Sequence, residues 1–289
     1  MGCAPRLAGL AATLALALAA APCAPSTRPL RGWNSWSAYG NANTEALTLA
    51  AAEYVAEHLA GFGYDLVVVD GGWWGKDITD GNGLPMPNLT TFPSAADGHG
   101  LRALSRAVRA KGLRFGAWDI RGLPLAGVEN RLPIAGAPGL TLADAASYTH
   151  NCSWDANVLG TNAPSAAASA WYASLARHYS AMELQFIKID CMFPGKAGGV
   201  EYDGDVAAFA EAFSTLAPAV TISWSPGDGV SLQNGSYIAS FGGAYGVAYR
   251  VTADFHDVNG VGRLQQQLDT AVRFAPLIGV NGTFPESVG

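Results

Sequence analysis

Apolar and polar positions along this chain predict strands that alternate with helices. Short apolar runs followed by a polar residue lie at 66–70, 113–119, 184–190 and 246–254. They are rich in β-branched and aromatic residues, which is typical of buried strands. In the segments between these runs, apolar residues recur every three or four positions, which predicts amphipathic helices.

The alternation of strands and helices predicts an α/β fold with a parallel sheet, closing as a (β/α)8 barrel. The predicted strands are Arg31–Trp36, Tyr64–Asp70, Leu113–Asp119, Leu184–Asp190, Val220–Ser225, Gly246–Thr252 and Ala275–Val280. One predicted helix spans Thr44–Leu59 with Thr44 as its N-cap, and a later one carries a core stripe of Leu264, Leu268 and Val272. Seven strands are predicted where a closed barrel has eight, so either one strand is missed or the chain is truncated at its C-terminus. We favour truncation.

The first residues of the chain predict export. Residues Met1 to Ala24 combine Arg6 with an Ala/Leu-rich apolar segment too short to span a membrane, which predicts a secretory signal peptide; a buried helix is the alternative. Residues 25–289 then form one catalytic domain. Four Asn-X-Ser/Thr sequons are candidate glycosylation sites, at Asn88, Asn151, Asn234 and Asn281. We therefore expect a secreted or a lysosomal or vacuolar protein.

Composition narrows the class of partner. The chain has 289 residues, of which 49% are hydrophobic and 14% charged, so it is globular rather than disordered. Its net charge is −6 and it has no basic patch, which argues against nucleic acid, and we expect no membrane partner. In an oxidising compartment Cys152 and Cys191 are expected to form a disulfide, with two unpaired thiols as the alternative.

Polar residues stand at the C-terminal ends of several predicted strands, where (β/α)8 enzymes place their catalytic groups. Lys188 and Asp190 lie two positions apart on one strand and should face the same side. Two carboxylates at a barrel mouth suit glycoside hydrolysis, one attacking the anomeric carbon and the other protonating the leaving oxygen. Asp190, kept ionised by Lys188, and Asp254 are the candidates. Asp70 is placed to bind sugar hydroxyls.

Other interpretations of these residues stay open. A single strand-end aspartate is often a turn or helix cap, and Lys188 with Asp190 is also compatible with a purely structural ion pair. Asp70, Asp119 and Asp190 together would offer an oxygen site for a metal ion. The aromatic residues at the strand exits that we expect to stack on a sugar ring are Trp36, Trp73, Trp74 and Trp118.

Several motifs, in this order and spacing, resemble glycoside hydrolase family 27, the α-galactosidase (melibiase) family. They are Gly32-Trp33-Asn34-Ser35-Trp36, Val67-Val68-Val69-Asp70 with Trp73, Phe92-Pro93-Ser94 with Gly98-His99-Gly100-Leu101, Ile187-Lys188-Ile189-Asp190, and Tyr249-Arg250 with Asp254. Ile120-Arg121-Gly122 and Cys152-Ser153-Trp154 resemble a mostly microbial branch of the family. The resemblance covers roughly Gly32 to Gly289.

The resemblance implies a retaining α-galactosidase without a cofactor. Asp190 would be the nucleophile and Asp254 the general acid/base. The sugar would be held by Trp36, Asp70, Trp118, Lys188 and Arg250. In the family the chain continues through a last barrel strand into a C-terminal β-sandwich, which agrees with the strand count. The expected partner is an oligosaccharide, polysaccharide or glycoconjugate substrate, and a homodimer is one assembly that we consider.

Three departures from the family pattern bear on specificity and on the disulfide. Gly71 stands where many relatives have a second acid, and Ser223-Trp224-Ser225-Pro226 stands where many have a glutamate. The family's disulfide cysteine lies two residues beyond the nucleophile, whereas Cys191 lies one beyond Asp190. Lost hydroxyl contacts favour two alternative enzymes, an α-N-acetylgalactosaminidase or a β-L-arabinopyranosidase. The rival from another class is a carbohydrate-binding barrel without catalysis.

Overall fold

The computed structural model describes residues 28–149, 151–152, 154–192, 203–225, 248–252, 260–280 and 284–286. Within these ranges the strands are β1 Gly32–Asn34, β2 Leu66–Val69, β3 Trp74–Thr79, β4 Pro85–Pro87, β5 Arg114–Ile120, β6 Leu123–Pro124, β7 Ala146–Ser147, β8 Val158–Thr161, β9 Phe186–Asp190, β10 Thr221–Ser225, β11 Ala248–Arg250 and β12 Phe284–Glu286. The helices are α1 Trp36–Tyr39, α2 Glu45–Tyr54, α3 Arg102–Arg109, α4 Leu125–Glu129, α5 Leu142–Ala145, α6 Ala166–Ala181, α7 Asp203–Leu216 and α8 Gly260–Phe274.

Seven of the strands form one parallel sheet in the order β1-β2-β5-β9-β10-β11-β12. This confirms the predicted parallel α/β barrel with seven strands. Among the described residues β1 and β12 are the two edges and pair with no further strand, so the ring is not closed there. The excursion between β5 and α6 contains α4 and α5 beside a small antiparallel sheet in the order β6-β8-β7.

The alternation along each strand separates two apolar clusters. Val67, Val69, Ile187 and Ile189 belong to the main core, which includes the buried faces of the surrounding helices. Side chains of the opposite parity, from Leu66, Val68 and Phe186, form a small cluster inside the curl of the sheet. The inner face therefore has an apolar floor, and the polar residues follow it towards the C-terminal ends of the strands.

Glycine is required at one inner position of β5. A Cβ at Gly116 would lie 2.7 Å from both the Cβ and the carbonyl oxygen of Phe186 on neighbouring β9. Because real Cβ atoms do not approach that closely, a larger residue at 116 would force the two strands apart. The ring of Phe186 thus fills the floor of the barrel only because position 116 has no side chain.

Helix α2 begins as predicted. Thr44 is its N-cap, accepting a hydrogen bond from the Leu47 amide at 3.2 Å. On this helix Tyr54 is exposed, whereas Thr48, Ala52 and the following Val55 are buried. The helix continues from residue 55 as a π-helical turn, Val55–Leu59, rather than as α-helix.

The last two predicted elements need correction. Leu264, Leu268 and Val272 of α8 are 50%, 54% and 75% exposed, so they do not face the core. The buried face instead carries Gln267, whose Oε1 accepts a hydrogen bond from Thr252 Oγ1 at 2.9 Å at the end of β11.

The seventh strand is also displaced along the chain. It is Phe284–Glu286, whereas part of the predicted strand, Ala275–Leu277, is a 3-10 turn that follows α8. A short apolar run fits a strand or a helical turn equally well, and the pairing of Phe284 with Ala248 on β11 identifies the strand.

No helix within the described ranges is long and apolar enough to cross a bilayer. The same residues contain no cluster of three or more His, Cys, Asp or Glu side chains arranged to hold a metal ion.

Candidate active site

The described sugar-site candidates converge at the C-terminal edge of the sheet. Asp70 directly follows β2, Lys188 and Asp190 belong to β9, and Arg250 ends β11. All four charged side chains are buried, and Asp190 is 8% exposed. Burying four charges is costly unless they are paired. Their partners therefore show how the site is built.

Lys188 pairs with Asp70 rather than with Asp190. Its Nζ lies 2.8 Å from Asp70 Oδ2, and Asn34 Nδ2 donates to the same oxygen at 2.7 Å. The other carboxylate oxygen of Asp70 accepts the Gly71 amide at 2.8 Å. Burial lowers the pKa of Lys188, but the carboxylates of Asp70 and Asp190 outweigh it, so the net pKa lies above its usual value. Lys188 is therefore a permanent ammonium group.

Asp190 has different partners. Its Oδ1 accepts the Cys191 amide at 2.8 Å and lies 3.6 Å from Arg250 Nη2, while its Oδ2 accepts Trp118 Nε1 at 3.2 Å. Burial raises the pKa of Asp190 above its ordinary value, although Arg250, Lys188 and the two hydrogen bonds act against it. Lys188 does favour the ionised form of Asp190, as the sequence suggested, but burial outweighs it. Arg250 is the stronger of the two opposing charges.

The four candidate tryptophans divide into two pairs. Trp118 and Trp36 are partly exposed; Trp118 donates to Asp190, and the Trp36 ring passes within 3.2 Å of a Cβ built at Gly71. Trp73 is fully buried and donates from Nε1 to the Trp118 carbonyl at 2.7 Å. Trp74 is buried and stacked on Trp118 with ring centroids 6.4 Å apart. Trp73 and Trp74 thus support Trp118 and do not themselves face the opening.

Asp119 does not belong to the site. Its neighbour Trp118 reaches Asp190, so Asp119 points to the other face of the sheet, where its Oδ2 accepts the Tyr179 hydroxyl at 2.6 Å. Its Oδ1 accepts the Ile120 amide at 2.8 Å. Burial raises the pKa of Asp119 to about 7, against the effect of these two bonds. The hypothesis of a metal site built from Asp70, Asp119 and Asp190 is therefore wrong.

Two residues to which the sequence pattern assigned no site role line the inner face. Asn34 ends β1 and holds Asp70, and Ser225 is paired in register with Asp190 at the end of β10. Ser225 is buried, and no described residue forms a hydrogen bond with its Oγ. Both stand at strand ends, which is the signal by which Asp70 and Asp190 were found. Asn and Ser are also common turn residues, so this signal is weaker for them than for the charged residues.

A cavity of about 590 Å³ lies inside the curl of the sheet. Its polar end is lined by Asn34, Lys188, Ser225 and Arg250, and its apolar end includes Phe186. The carboxylates of Asp70 and Asp190 are not among its lining residues, so the cavity reaches the charged cluster from the inside of the barrel.

Cys152 and Cys191 form a disulfide with their Cα atoms 5.8 Å apart. The bridge ties the long excursion after β5 to the residue that directly follows Asp190. The alternative of two free thiols is not what the structure contains.

Several sequence-based candidates lie outside the described residues. These are Asp254, the sequons at Asn234 and Asn281, and the proposed signal peptide from Met1 to Ala24. Of the two predicted catalytic carboxylates, the structure therefore describes Asp190 only.

The two described sequons differ in how their amides are used. Asn151 is engaged at both ends, since its Nδ2 donates to the Tyr148 carbonyl at 3.3 Å and its Oδ1 accepts the Gly160 amide at 3.0 Å. Asn88 Oδ1 accepts the Thr90 amide at 3.0 Å, and within the described part of the chain no hydrogen bond engages its Nδ2. A glycan is attached through Nδ2 on a surface loop.

We therefore expect a eukaryotic secretory host to glycosylate Asn88 and to leave Asn151 unmodified. Mass spectrometry of peptides after enzymatic deglycosylation in heavy-oxygen water would measure occupancy at each position. Asn88→Gln serves as the matched variant and should remove the glycan signal from that loop. A glycan on Asn151 with none on Asn88 would contradict this expectation.

Comparison with known proteins gives one consistent result. No protein-family model matches the chain. An α-galactosidase of Cyamopsis tetragonoloba is 34% identical over 95 residues, which cover 32% of this chain and 22% of that protein. An α-galactosidase of Oryza sativa subsp. japonica is 37% identical over 95 residues, covering 32% of this chain and 21% of that protein. The aligned part is therefore about a fifth of the length of these curated relatives.

Solved structures match over most of the chain. A family 27 β-L-arabinopyranosidase of Geobacillus stearothermophilus has a TM-score of 0.80 at 27% identity, covering 89% of this chain and 60% of that one. A Bacillus halodurans protein assigned as an α-N-acetylgalactosaminidase has a TM-score of 0.75 at 27% identity, covering 92% and 61%. This chain thus spans about three fifths of each structural relative. In sequence and in fold, this chain is therefore similar to enzymes of glycoside hydrolase family 27.

Proposed function

We propose that this chain forms the catalytic barrel of a retaining glycosidase that releases terminal α-D-galactosyl groups. The observation that supports this best is the buried charged cluster at the strand ends, with Asp190 between Arg250 and Trp118 and the Asp70–Lys188 pair beside it. Oligosaccharides, polysaccharides and glycoconjugates are the proposed substrate classes.

In this proposal Asp190 attacks the anomeric carbon, and the bond from that carbon to the leaving oxygen breaks while Asp254 protonates the oxygen. Water, deprotonated by Asp254, then attacks the same carbon and frees the sugar and the Asp190 carboxylate. Two inversions return the original anomeric configuration. The reaction needs no cofactor.

The other described residues take binding roles. Asp70 accepts hydrogen bonds from sugar hydroxyls and Lys188 donates to them, since their pairing already holds both groups in place. Trp118 and Trp36 offer ring faces that are partly exposed, which suits stacking on the apolar face of a pyranose. Arg250 holds the carboxylate of Asp190 in its ionised form during attack.

A β-L-arabinopyranosyl group is the second candidate sugar. It has the same ring configuration at C1 to C4 as α-D-galactosyl and lacks only the hydroxymethyl group at C5. The solved structure at 27% identity with a TM-score of 0.80 is a β-L-arabinopyranosidase. Gly71 also lacks the second acid that many relatives have, and a Cβ there would lie 2.7 Å from Asn41 Oδ1. The site thus offers one hydroxyl acceptor fewer.

An α-N-acetylgalactosaminyl group is the third candidate. Ser225 is small, faces the inside beside Asp190 and has an Oγ that no described residue binds. Its size leaves room next to the sugar for a substituent larger than a hydroxyl. The Bacillus halodurans relative points to the same sugar.

A panel of three nitrophenyl glycosides separates these candidates: the α-D-galactopyranoside, the β-L-arabinopyranoside and the α-N-acetylgalactosaminide. We expect the highest kcat/KM for the α-D-galactopyranoside, by about tenfold or more, because one hydroxymethyl contact is worth about 1 to 3 kcal/mol. NMR of the first-formed sugar should show the retained anomer. A reversed order of kcat/KM identifies one of the other two sugars. If calorimetry detects galactose binding but no glycoside is hydrolysed, the chain is a carbohydrate-binding barrel and not an enzyme.

The cellular setting of this activity is part of the proposal. The predicted signal peptide and the Cys152–Cys191 bridge favour an exported protein, secreted or delivered to a lysosome or vacuole. We propose a carbohydrate substrate as the partner, with neither nucleic acid nor a membrane involved. A homodimer stays among the assemblies considered.

A further inference from the structure

A buried ion pair lies behind the nucleophile candidate and takes no part in the sugar site. Arg121 and Asp205 are 1% and 2% exposed, and Arg121 Nη1 lies 3.0 Å from Asp205 Oδ2. Asp205 Oδ1 also accepts the Tyr172 hydroxyl at 2.6 Å and the Thr161 hydroxyl. Such a pair is weak evidence for stability, because apolar residues of similar volume often serve equally well. The pair also fixes the position of the Arg121 guanidinium.

Arg121 holds the two carbonyl groups at and after Asp190. Its backbone amide donates to the Asp190 carbonyl at 3.0 Å. Its side-chain Nε donates to the Cys191 carbonyl at 2.9 Å. The guanidinium thus bridges Asp205 on α7 and the backbone that follows β9.

The backbone at Cys191 has an unusual conformation. Its φ is +57°, in the left-handed region that residues other than glycine seldom adopt. The Cys191 amide donates to Asp190 Oδ1 at 2.8 Å. The disulfide to Cys152 holds the side chain of Cys191, and Arg121 holds its carbonyl. The orientation of the Asp190 carboxylate therefore depends on a peptide that is fixed from outside the sugar site.

We propose that Arg121, held by Asp205, is a positioning residue that keeps the Cys191 amide on Asp190 and so aims the carboxylate at the anomeric carbon. This inference rests on the proposed role of Asp190 as nucleophile. Arg121 itself does not touch the sugar. Its loss should therefore lower kcat and leave sugar binding by Asp70 and Lys188 nearly unchanged.

The test compares two variants of the same buried network in the full chain. Arg121→Lys keeps the positive charge near Asp205 but has no Nε to donate to Cys191. Tyr172→Phe removes one hydrogen bond to Asp205 and keeps the bond from Arg121 to Cys191. With the nitrophenyl glycoside that the wild type hydrolyses best, we expect kcat to fall about 10-fold or more in Arg121→Lys with KM within about threefold. Tyr172→Phe should keep kcat within about twofold.

A pH profile gives a readout that a merely structural role would not move. The Cys191 amide favours ionised Asp190, so its loss should move the acidic limb of kcat/KM upward by about half a pH unit or more in Arg121→Lys. Lys188 on β9 and Arg250 on β11 also face Asp190, and neither residue is changed in the two variants. Equal kcat and an equal acidic limb in Arg121→Lys and Tyr172→Phe would overturn the proposal, as would a KM that rises as much as kcat falls.

Two outcomes call for a second measurement: a wild type that hydrolyses no glycoside, and an Arg121→Lys variant that does not fold. Should the wild type hydrolyse no glycoside, the proposed function fails, and carbon-13 NMR titration of Asp190 decides the positioning role on its own. A pKa of Asp190 that is higher in Arg121→Lys than in Tyr172→Phe supports it, and equal values reject it. Should Arg121→Lys fail to fold, Asp205→Asn, which keeps an oxygen for Tyr172 and Thr161 but loosens Arg121, takes its place in the same comparison with the same criteria.

Discussion

Asp190→Asn should abolish glycoside hydrolysis, with kcat lowered by about four orders of magnitude or more, because an amide is not a nucleophile at the anomeric carbon. The fold should persist. The amide of Asn keeps an oxygen for the Cys191 amide, and removal of one buried charge lowers the cost of burial. Turnover of the best nitrophenyl glycoside, with circular dichroism as the check on folding, measures both effects.

The chain offers a matched control for this prediction. Asp119→Asn makes the same chemical change in a buried aspartate on the neighbouring strand, paired in register with Ile189 but facing the helices. It should keep kcat within about twofold, since it lies on the far side of the sheet. Asp190→Gly with added azide should in turn yield the glycosyl azide of inverted configuration, because azide replaces the missing carboxylate. Wild-type-like kcat in Asp190→Asn would remove Asp190 from the role.

Asp119→Asn should also raise the free energy of unfolding at neutral and alkaline pH, and this gain should disappear at low pH. The pKa of Asp119 is about 7 in the folded protein and about 3.9 in an unfolded chain. Between these values the folded protein holds a proton that the unfolded chain releases, so the stability from this group is full below about pH 4 and is lost as pH rises to 7. Above pH 7 the wild type has lost about 4 kcal/mol of the free energy of unfolding that protonated Asp119 contributes at low pH. Asp119→Asn has no such loss, because asparagine does not ionise.

Urea unfolding of both proteins at pH 4 and pH 8 measures this difference. The free energies of unfolding should be similar at pH 4, where neither the protonated Asp119 nor the asparagine that replaces it carries a charge. At pH 8 Asp119→Asn should be the more stable by a few kcal/mol, on the order of the value above. The pKa of Asp190 is raised as well, but that group is the same in both proteins and cancels. A gap that does not change with pH would contradict the assignment of a raised pKa to Asp119.

Six of the seven strands of the parallel sheet could be predicted from local pattern. The runs ending at Asp70 and Asp190 are strands as predicted, because a short apolar run bounded by polar residues has few other stable conformations. The pattern also indicated that Lys188 and Asp190 share a face, since side-chain alternation depends only on the strand itself. The stripe of Leu264, Leu268 and Val272 misled the prediction for the opposite reason: periodicity defines a helix face but not the side that packs inward.

The amino-acid sequence alone established that charged residues lie at the C-terminal ends of several strands. Each apolar run and the charged residue that ends it lie within a few positions of each other, so no tertiary contact is needed to recognise them. The contacts between strands were decided by the folded sheet. Lys188 binds Asp70, which lies 118 residues away along the chain, and Arg121 binds Asp205, 84 residues away. Asp119 faces the helices and Asp190 the candidate active site, although both stand at strand ends. The register and curl of the sheet set these outcomes, since they determine which faces meet, and no local pattern encodes a distance between separate strands.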